Sequence, residues 1–570
     1  MTTPIRAFRA FALSAAVAAI VPPLAAQRAT PARPIATMAG RSPVYAPNGV
    51  AATSQPLATT AALEVLQHGG NAIDAAVTAA AVLGVVEPMM VGLGGDMFAI
   101  IWSAREKRLV ALNASGRAGS LMTRDELIKR GRRNVPRGPE SVTVPGGVAG
   151  WQELLSKYGT ISLAKALEPA IRYAEKGFVV TPVIAVDWAG QTNVLRRDPG
   201  ARTTFLRDSQ PYAAGDYFTN PDLAKTMRQL AAEGPSALYG GPLGQKIVDR
   251  LKELGGFLTI DDLRKHRVDW VTPLSVPFQG YRVWQMPPNN QGIAVLEMLR
   301  IVESYDLKAM GHNSAAYLHL MIEAKKLAYA DLVKYGGDAD HLTLKPAQLL
   351  SDEFIKERRG HIDLTKAMPR TDPGPERVSS ETIYLTVADK DGNMVSFINS
   401  IYDEFGSGIV VPGTGFALHD RGAGFTLTPG LPNTVAPGKR PFHTLIPGFI
   451  TKPGATPAAD GSGDTPYMSF GLMGGAMQAQ GHAQFVINHL VFGMDIQRAQ
   501  DVARFRHMDS TRVIVESAIP DDVIAGLGAL GHIVTFGRPD QFGGSQAIIR
   551  LPRGYVAGSD PRKDGHAAGY

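Results

Sequence analysis

Two glycine clusters beside predicted strands are the residues whose spacing points first to chemistry. One is Phe405-Gly406-Ser407-Gly408 and the other is Phe470-Gly471-Leu472-Met473-Gly474-Gly475. Paired glycines at the end of a strand can aim two backbone N–H groups at one point, which is one way to stabilise the oxyanion of an acyl-transfer reaction. Taken alone, however, such glycines are explained better by tight turns and bulges.

Several other kinds of site are excluded or disfavoured. The chain has no cysteine, which excludes a thiol nucleophile, disulfides and thiolate zinc sites. It has no phosphate-binding G-x-x-x-x-G-K-[ST] loop, no H-E-x-x-H zinc motif and no G-x-S-x-G nucleophile elbow. His482 and His489 could share a helix face, but without further ligands nearby they are better interpreted as core or surface residues. These absences disfavour a zinc hydrolase and a cysteine-dependent enzyme.

The composition and the N-terminus bear on location and partners. The chain has 570 residues, of which 19% are charged and 45% are hydrophobic, enough for a large core. A net charge of +6 is too small to indicate a nucleic-acid partner. Residues 1–26 resemble a secretory signal, with Arg6 and Arg9 before an apolar run; a membrane anchor is disfavoured because Pro22 and Pro23 end that run early. We expect a periplasmic or secreted protein without a stable membrane anchor.

Hydrophobic periodicity predicts helices in the first two-thirds of the chain and mixed helices and strands in the last third. The predicted helices are 59–66, 72–86, 163–176, 221–233, 243–254 and 315–334. The predicted strands are 382–389, 394–401, 469–472, 513–516, 532–536, 547–551 and 555–559. Lys390-Asp391-Gly392-Asn393 is a hairpin-turn signal between the first two strands.

In their order along the chain, several motifs resemble the γ-glutamyltransferase family of N-terminal-nucleophile hydrolases. The resemblance runs from about Val50 to Tyr570. Its motifs are Gly69-Gly70-Asn71-Ala72-Ile73-Asp74-Ala75-Ala76, Gly92-Leu93-Gly94-Gly95-Asp96-Met97-Phe98, Val144-Pro145-Gly146-Gly147, Met286-Pro287-Pro288, Val387-Ala388-Asp389-Lys390-Asp391-Gly392-Asn393 and Ser559-Asp560-Pro561-Arg562-Lys563-Asp564-Gly565.

The resemblance implies an α+β fold, a four-layer αββα sandwich of the N-terminal-nucleophile hydrolase type. It also implies a precursor that cuts itself before Thr382, which then acts as the nucleophile. The large subunit would span 27–381 and the small subunit 382–570, together forming one structural unit. By resemblance, Gly474 and Gly475 hold the oxyanion, and Ser400 takes the place of a Thr that hydrogen-bonds the nucleophile. The resemblance implies no metal and no organic cofactor. The chemistry is sound, since a freed α-amine with a pKa near 7.7–8.0 can take the hydroxyl proton.

This chain departs from the family where the substrate is recognised. Gly424 aligns with the Asp that holds the α-amine of a γ-glutamyl group, and Tyr402 aligns with an Asn. His443 and Thr444 replace a Ser pair that grips the α-carboxylate. The family's carboxylate-binding Arg aligns with Ser115, although Arg117 could substitute. The segment from Phe425 to Arg440 is also shorter than in members that carry a lid over the site, as in the lidless branch that includes cephalosporin and glutaryl acylases.

The sequence therefore predicts an exported, self-processing enzyme that hydrolyses, and possibly transfers, γ-glutamyl groups of small amides such as glutathione. One alternative is a glutaryl or cephalosporin side-chain acylase, and another is a binding protein that has lost catalysis. We expect Arg117, Tyr402, His443 and Thr444 to bind substrate. If Gly424 marks the missing amine receptor, Gly424→Asp should favour γ-glutamyl substrates.

Overall fold

A computed structural model describes residues 40–369 and 382–570. Residues 41–570 form one compact unit. The predicted signal, residues 1–26, lies outside the described residues, as does Glu381. No helix in the described ranges is long and apolar enough to cross a membrane.

The helices are numbered in chain order within the described residues. They are α1 Pro56–Gln67, α2 Ala72–Val86, α3 Arg124–Lys129, α4 Gly147–Tyr158, α5 Leu163–Lys176, α6 Pro182–Gly190, α7 Thr192–Leu195, α8 Pro199–Phe205, α9 Pro221–Glu233, α10 Pro242–Glu253, α11 Ile260–Arg264, α12 Gly292–Val302, α13 Leu307–Met310, α14 Ala315–Tyr335, α15 Pro346–Leu349, α16 Asp352–Arg359, α17 Met477–Leu490, α18 Arg498–Asp501 and α19 Asp521–Ala529. All six predicted helices are confirmed, and the bounds of α2, α5 and α9 match the prediction.

The strands are numbered in the same way. They are β1 Val44–Ala46, β2 Val50–Thr53, β3 Asp96–Ser103, β4 Arg108–Ala114, β5 Phe178–Val179, β6 Tyr217–Phe218, β7 Asp269–Val271, β8 Leu274–Phe278, β9 Tyr281–Gln285, β10 Ile383–Ala388, β11 Met394–Ser400, β12 Pro447–Lys452, β13 Thr465–Met473, β14 Phe505–Asp509, β15 Arg512–Val515, β16 Ile533–Phe536, β17 Gly544–Arg550, β18 Tyr555–Ser559 and β19 His566–Gly569. The seven predicted strands are present, and the sequence did not predict the other twelve described strands, which include β2, β3 and β4.

Two seven-stranded antiparallel sheets form the centre of the fold. Their strand orders are β1-β18-β17-β13-β12-β9-β8 and β19-β2-β10-β11-β3-β4-β7. The apolar core between them includes Phe98, Trp284, Tyr384, Phe449 and Ile548. Helices α1, α2, α5 and α9 share a second core with the outer face of the β10-containing sheet, and α12, α14 and α17 share a third with the other sheet. This arrangement confirms the expected four-layer αββα sandwich.

The hairpin of β10 and β11 is tied to helix α2 by one buried carboxylate. Asp389 Oδ2 accepts hydrogen bonds from the backbone N–H of Ala72 (2.9 Å) and from the side-chain amide of Asn393 (2.8 Å). Helix α2 itself begins with a reciprocal cap between Asn71 and Asp74, and all its residues are buried. These contacts fix β10, and hence the residue just before it, against a rigid helix.

Candidate active site around Thr382

Thr382 lies immediately before the central strand β10 and is fully buried. In the antiparallel pairing of β10 with β11, Ile383 faces Asn399. The next pair in that register sets Thr382 opposite Ser400, which ends β11. Gln478 of α17 directs its side-chain amide N–H toward the Thr382 hydroxyl, with Nε2 and Oγ1 at a long 3.5 Å.

The turn between β13 and α17 contains Gly474 and Gly475, both buried and both with positive φ (+117° and +58°). Among the described residues, neither backbone N–H has a hydrogen-bond partner. The Gly475 carbonyl accepts from the Gln291 side-chain amide (2.9 Å) and the Gln478 backbone N–H (3.1 Å). These bonds hold the turn at the N-terminus of α17, where the helix dipole favours negative charge.

A buried arginine, Arg421, brings together three of the predicted substrate and catalytic residues. Its guanidinium donates to Thr444 Oγ1 (3.1 Å) and to Ser400 Oγ (3.3 Å). The same group lies 4.1 Å above the centre of the Tyr402 ring. Burial lowers the pKa of Arg421 from its usual value, but a guanidinium stays charged in proteins. Ser400 therefore lies opposite the predicted nucleophile in the strand register and accepts a hydrogen bond from a buried cation.

His443 belongs to a different group of contacts, centred on the fully buried Asp96. Asp96 Oδ2 lies 3.1 Å from His443 Nε2 and 3.3 Å from His419 Nδ1, and its Oδ1 accepts from two backbone N–H groups. Burial alone would raise the pKa of Asp96, but the two histidines hold it well below its usual value. Burial, with Arg421 nearby, lowers the pKa of His443 to about 3. His443 is therefore neutral.

The ring of His443, which was predicted to bind substrate, is directed at groups of the protein. Its second nitrogen, Nδ1, faces the backbone N–H of Leu445, so both ring nitrogens are directed at protein groups and neither is left for substrate. Arg117 is also held elsewhere. It donates to the Gly438 carbonyl (3.2 Å) and forms ion pairs with Asp269 (3.5 Å) and Asp338 (3.6 Å), so its described contacts do not include Ser400, Tyr402 or Thr444.

Two acids, Asp403 and Asp420, lie close to Arg421. The Asp403 backbone N–H donates to Asp420 Oδ1 (3.1 Å). Burial, together with the negative charge of Asp403, raises the pKa of Asp420 well above its usual value. One oxygen of each acid, Asp403 Oδ1 and Asp420 Oδ2, is buried without a hydrogen-bond partner among the described residues.

Arg421 was not among the predicted site residues. The signal was a charged triplet, His419-Asp420-Arg421, between the apolar Phe416-Ala417-Leu418 and the small residues 422–424. Charged residues in such surroundings are rarely buried unless paired or used.

One further group could in principle hold a metal. Among the described residues, ligand atoms of His319, Glu323 and His532 come within 4.8 Å of one another. Lys326 Nζ already lies 2.7 Å from Glu323 Oε1, however, so a buried cation neutralises this carboxylate. None of the three belongs to the cluster around Thr382.

Four αββα layers with a threonine at the start of a central strand are typical of N-terminal-nucleophile hydrolases. The chain belongs to the gamma-glutamyltranspeptidase family, whose pattern matches residues 58–570.

Known relatives support both the family and the acylase-like branch. The chain is 36% identical to a glutathione hydrolase-like proenzyme (YwrD) of Bacillus subtilis strain 168, covering 90% of this chain and 97% of that protein. It is also 36% identical to an oxamate amidohydrolase proenzyme of Klebsiella pneumoniae, covering 92% and 98%. The structure of cephalosporin acylase from Bacillus halodurans superposes with a TM-score of 0.86 at 39% identity, covering 95% of this chain and 99% of that one. The predicted resemblance is confirmed.

Proposed function

We propose that this protein is an exported amide hydrolase that activates itself by cutting the Glu381–Thr382 bond and then uses Thr382 as an N-terminal nucleophile. The observation that carries the proposal is the placement of Thr382, buried at the start of β10, opposite Ser400 and within reach of Gln478. The processed subunits would be 27–381 and 382–570. Relatives described as proenzymes support self-processing.

In the processing step, the Thr382 hydroxyl attacks the carbonyl carbon of Glu381. The C–N bond breaks as an ester forms, and the proton passes to the departing nitrogen. Water then hydrolyses the ester, which leaves a carboxylate on Glu381 and a free amine on Thr382. That amine has the ordinary pKa range of an α-amine, near 7.7–8.0, and so can serve as the base in later turnovers.

In each turnover, the Thr382 amine takes the hydroxyl proton and Oγ1 attacks the substrate amide. The backbone N–H groups of Gly474 and Gly475 then stabilise the developing oxyanion, because they have no other partner among the described residues. The amine gives its proton to the leaving group, and water releases the acyl group from the enzyme. Hydrolysis should dominate over transfer, since the short 425–440 segment leaves water poorly excluded.

The leading substrates are γ-glutamyl amides such as glutathione, in keeping with the glutathione hydrolase-like relative. A glutaryl or other side-chain acylase is the second candidate, and Gly424 favours it. A Cβ at Gly424 would lie 2.6 Å from the Phe442 carbonyl oxygen, so this position has no room for the family's amine-binding Asp. A glutaryl amide should therefore be cleaved within about tenfold of the γ-glutamyl amide, the span of one weak polar contact at about 1.4 kcal/mol.

Processing is tested by N-terminal sequencing of the purified protein. The small fragment should begin Thr-Ile-Tyr-Leu, Thr382→Ala should remain one chain, and Thr382→Ser should still cut. Thr386→Ser is a matched control. Thr386 lies on β10 and its hydroxyl is hydrogen-bonded to that of Ser469 on β13 (2.6 Å), so its replacement should leave the cleavage position unchanged. Any other start would refute the assignment of Thr382.

Activity and export need separate measurements. Hydrolysis of γ-glutamyl-p-nitroanilide and glutaryl-p-nitroanilide by the processed enzyme distinguishes the two substrate classes. A chain that stays uncut and inactive on both would instead be a binding protein that has lost catalysis. Export predicts that the large fragment of the cell-produced protein begins at Gln27 and lies outside the cytoplasm; a fragment that retains residues 1–26 would contradict it.

A further inference from the structure

Arg421 is a fully buried cation with no ion-pair partner in the part of the chain that the structure describes. Among the described residues, no carboxylate lies within ion-pair distance of its guanidinium. Its two hydrogen bonds go to the neutral hydroxyls of Ser400 and Thr444, and its Nε has no partner. A guanidinium has five N–H donors, and burying an unpaired charge is costly. The charge of Arg421 is therefore not balanced by an ion pair among the described residues.

The neighbouring acids do not fill this role. Asp96 is engaged by two histidines and two backbone N–H groups. Asp403 and Asp420 form no described ion pair with Arg421; Asp420 Oδ1 instead accepts a hydrogen bond from the Asp403 backbone N–H (3.1 Å). The guanidinium thus keeps most of its charge available, in an environment where few waters compete for it.

The distance from the nucleophile selects the kind of anion. Arg421 donates to Ser400 Oγ at 3.3 Å, and Ser400 lies opposite Thr382 in the strand register. Facing residues of antiparallel strands have Cα atoms about 4.5–5.5 Å apart. In a glutaryl or γ-glutamyl group, four bonds of about 1.5 Å separate the reacting carbonyl carbon from the distal carboxylate carbon, a span of about 5 Å. An acyl group of this length can join Thr382 to the guanidinium.

We propose that Arg421 binds the distal carboxylate of the acyl group and so restricts the enzyme to mono-amides of dicarboxylic acids. Thr444 holds one edge of the guanidinium and the Tyr402 ring supports its face, which leaves the remaining N–H groups for a bidentate contact. Tyr402 has φ +78°, a conformation that a non-glycine residue adopts only when its surroundings impose it. This inference rests on the proposed amide hydrolysis and names its substrate class.

The test compares glutaryl-p-nitroanilide with butyryl-p-nitroanilide, which lacks the carboxylate, on processed enzyme. The parent should prefer the glutaryl amide. In Arg421→Gln the ratio of the two kcat/KM values should fall by about 10–150-fold, the equivalent of a charge-assisted hydrogen bond of 1.5–3 kcal/mol. The loss should appear mainly in KM for the glutaryl amide. Arg421→Lys, which keeps the charge without the fork, should restore part of the ratio.

The control is Arg504→Gln, because Arg504 is equally buried but already bonds Asp560 within the protein. Its ratio should equal that of the parent even if its stability falls. If Arg421→Gln fails to process, glutarate and butyrate are compared as inhibitors of the parent and of Arg421→Lys. Stronger inhibition of the parent by glutarate, weakened in Arg421→Lys, supports the proposal.

A parent that cleaves butyryl and glutaryl amides equally, or an Arg421→Gln variant with the parent's ratio, overturns the role of Arg421. That result would leave Thr382-dependent hydrolysis intact. A parent that neither processes nor cleaves any amide would instead refute the proposed function. The two failures are therefore distinguishable.

Discussion

Replacing Gly474 with alanine tests the turn that is proposed to hold the oxyanion. The residue has φ +117°, which an L-residue rarely adopts, and a Cβ there would lie 2.9 Å from Gly543 Cα. Backbone strain of this kind costs about 1–3 kcal/mol, so the turn should shift and carry its N–H away from the reacting carbonyl. Loss of one oxyanion donor lowers turnover by about 10²–10³-fold. We expect Gly474→Ala to show this fall in kcat.

The assay is kcat for γ-glutamyl-p-nitroanilide, with the extent of processing read from a denaturing gel so that uncut protein is not counted as slow enzyme. Gly493→Ala is the matched control. Gly493 also has positive φ (+67°), but a Cβ there would meet nothing within 4 Å, and it follows the far end of α17. If Gly474→Ala processes and turns over like the parent, or if Gly493→Ala loses as much kcat, Gly474 is only a turn residue and the reasoning is wrong.

Two other predictions concern stability and specificity. Burial lowers the pKa of both His443 and His482 to about 3, whereas an unfolded His has a pKa near 6.5, so the unfolded chain binds more protons below pH 6.5. The stability that each of these two histidines contributes is therefore complete above pH 6.5 and falls by about 2 kcal/mol between pH 7 and 5. Urea midpoints should fall over this range. The fall should be smaller in His482→Gln by the share of that one residue, because other buried histidines such as His266 and His532 also have lowered pKa values. An unchanged midpoint in the parent would contradict the burial argument. From the sequence, Gly424→Asp was expected to favour γ-glutamyl amides. In the structure its Cβ would press on the Phe442 carbonyl, so the variant should have a lower thermal midpoint and no greater preference for γ-glutamyl amides. A stable variant with a raised γ-glutamyl to glutaryl ratio would support the expectation from the sequence.

Helices and strands whose ends are marked by capping or turn residues could be predicted from the local sequence. Helix α2 begins with a capping residue, Asn71, and ends before Pro88, so both bounds follow from the sequence. The β10–β11 hairpin is predicted by its turn residues 390–393. Strand β3 was missed because all its residues are buried, and a strand buried on both faces lacks the alternation by which strands are recognised.

The candidate site could also be predicted only in part, because its residues are far apart in the sequence. Ser400, Tyr402 and Thr444 could be named from family resemblance, and the structure brings them together around Arg421. Arg421 contacts these residues because its own loop packs against the end of β11 and against residue 444. No local sequence pattern predicts that packing. The direction of the His443 ring could not be predicted, because sequence alignment gives only the position of a residue. The ring faces Asp96, which lies more than 300 residues earlier in the chain.

The order of strands in the two sheets bears on which form of the chain can fold. In one sheet β10 and β11 lie between β2 and β3, and in the other β9 pairs with β12, so each proposed subunit supplies strands to both sheets. While the chain is continuous, these strands meet at the high effective concentration of a single molecule. After cleavage the same pairing would have to occur between two separate chains. We therefore expect the uncut precursor to be the form that folds efficiently. A processed enzyme that has been denatured should recover activity with a yield that rises with its concentration.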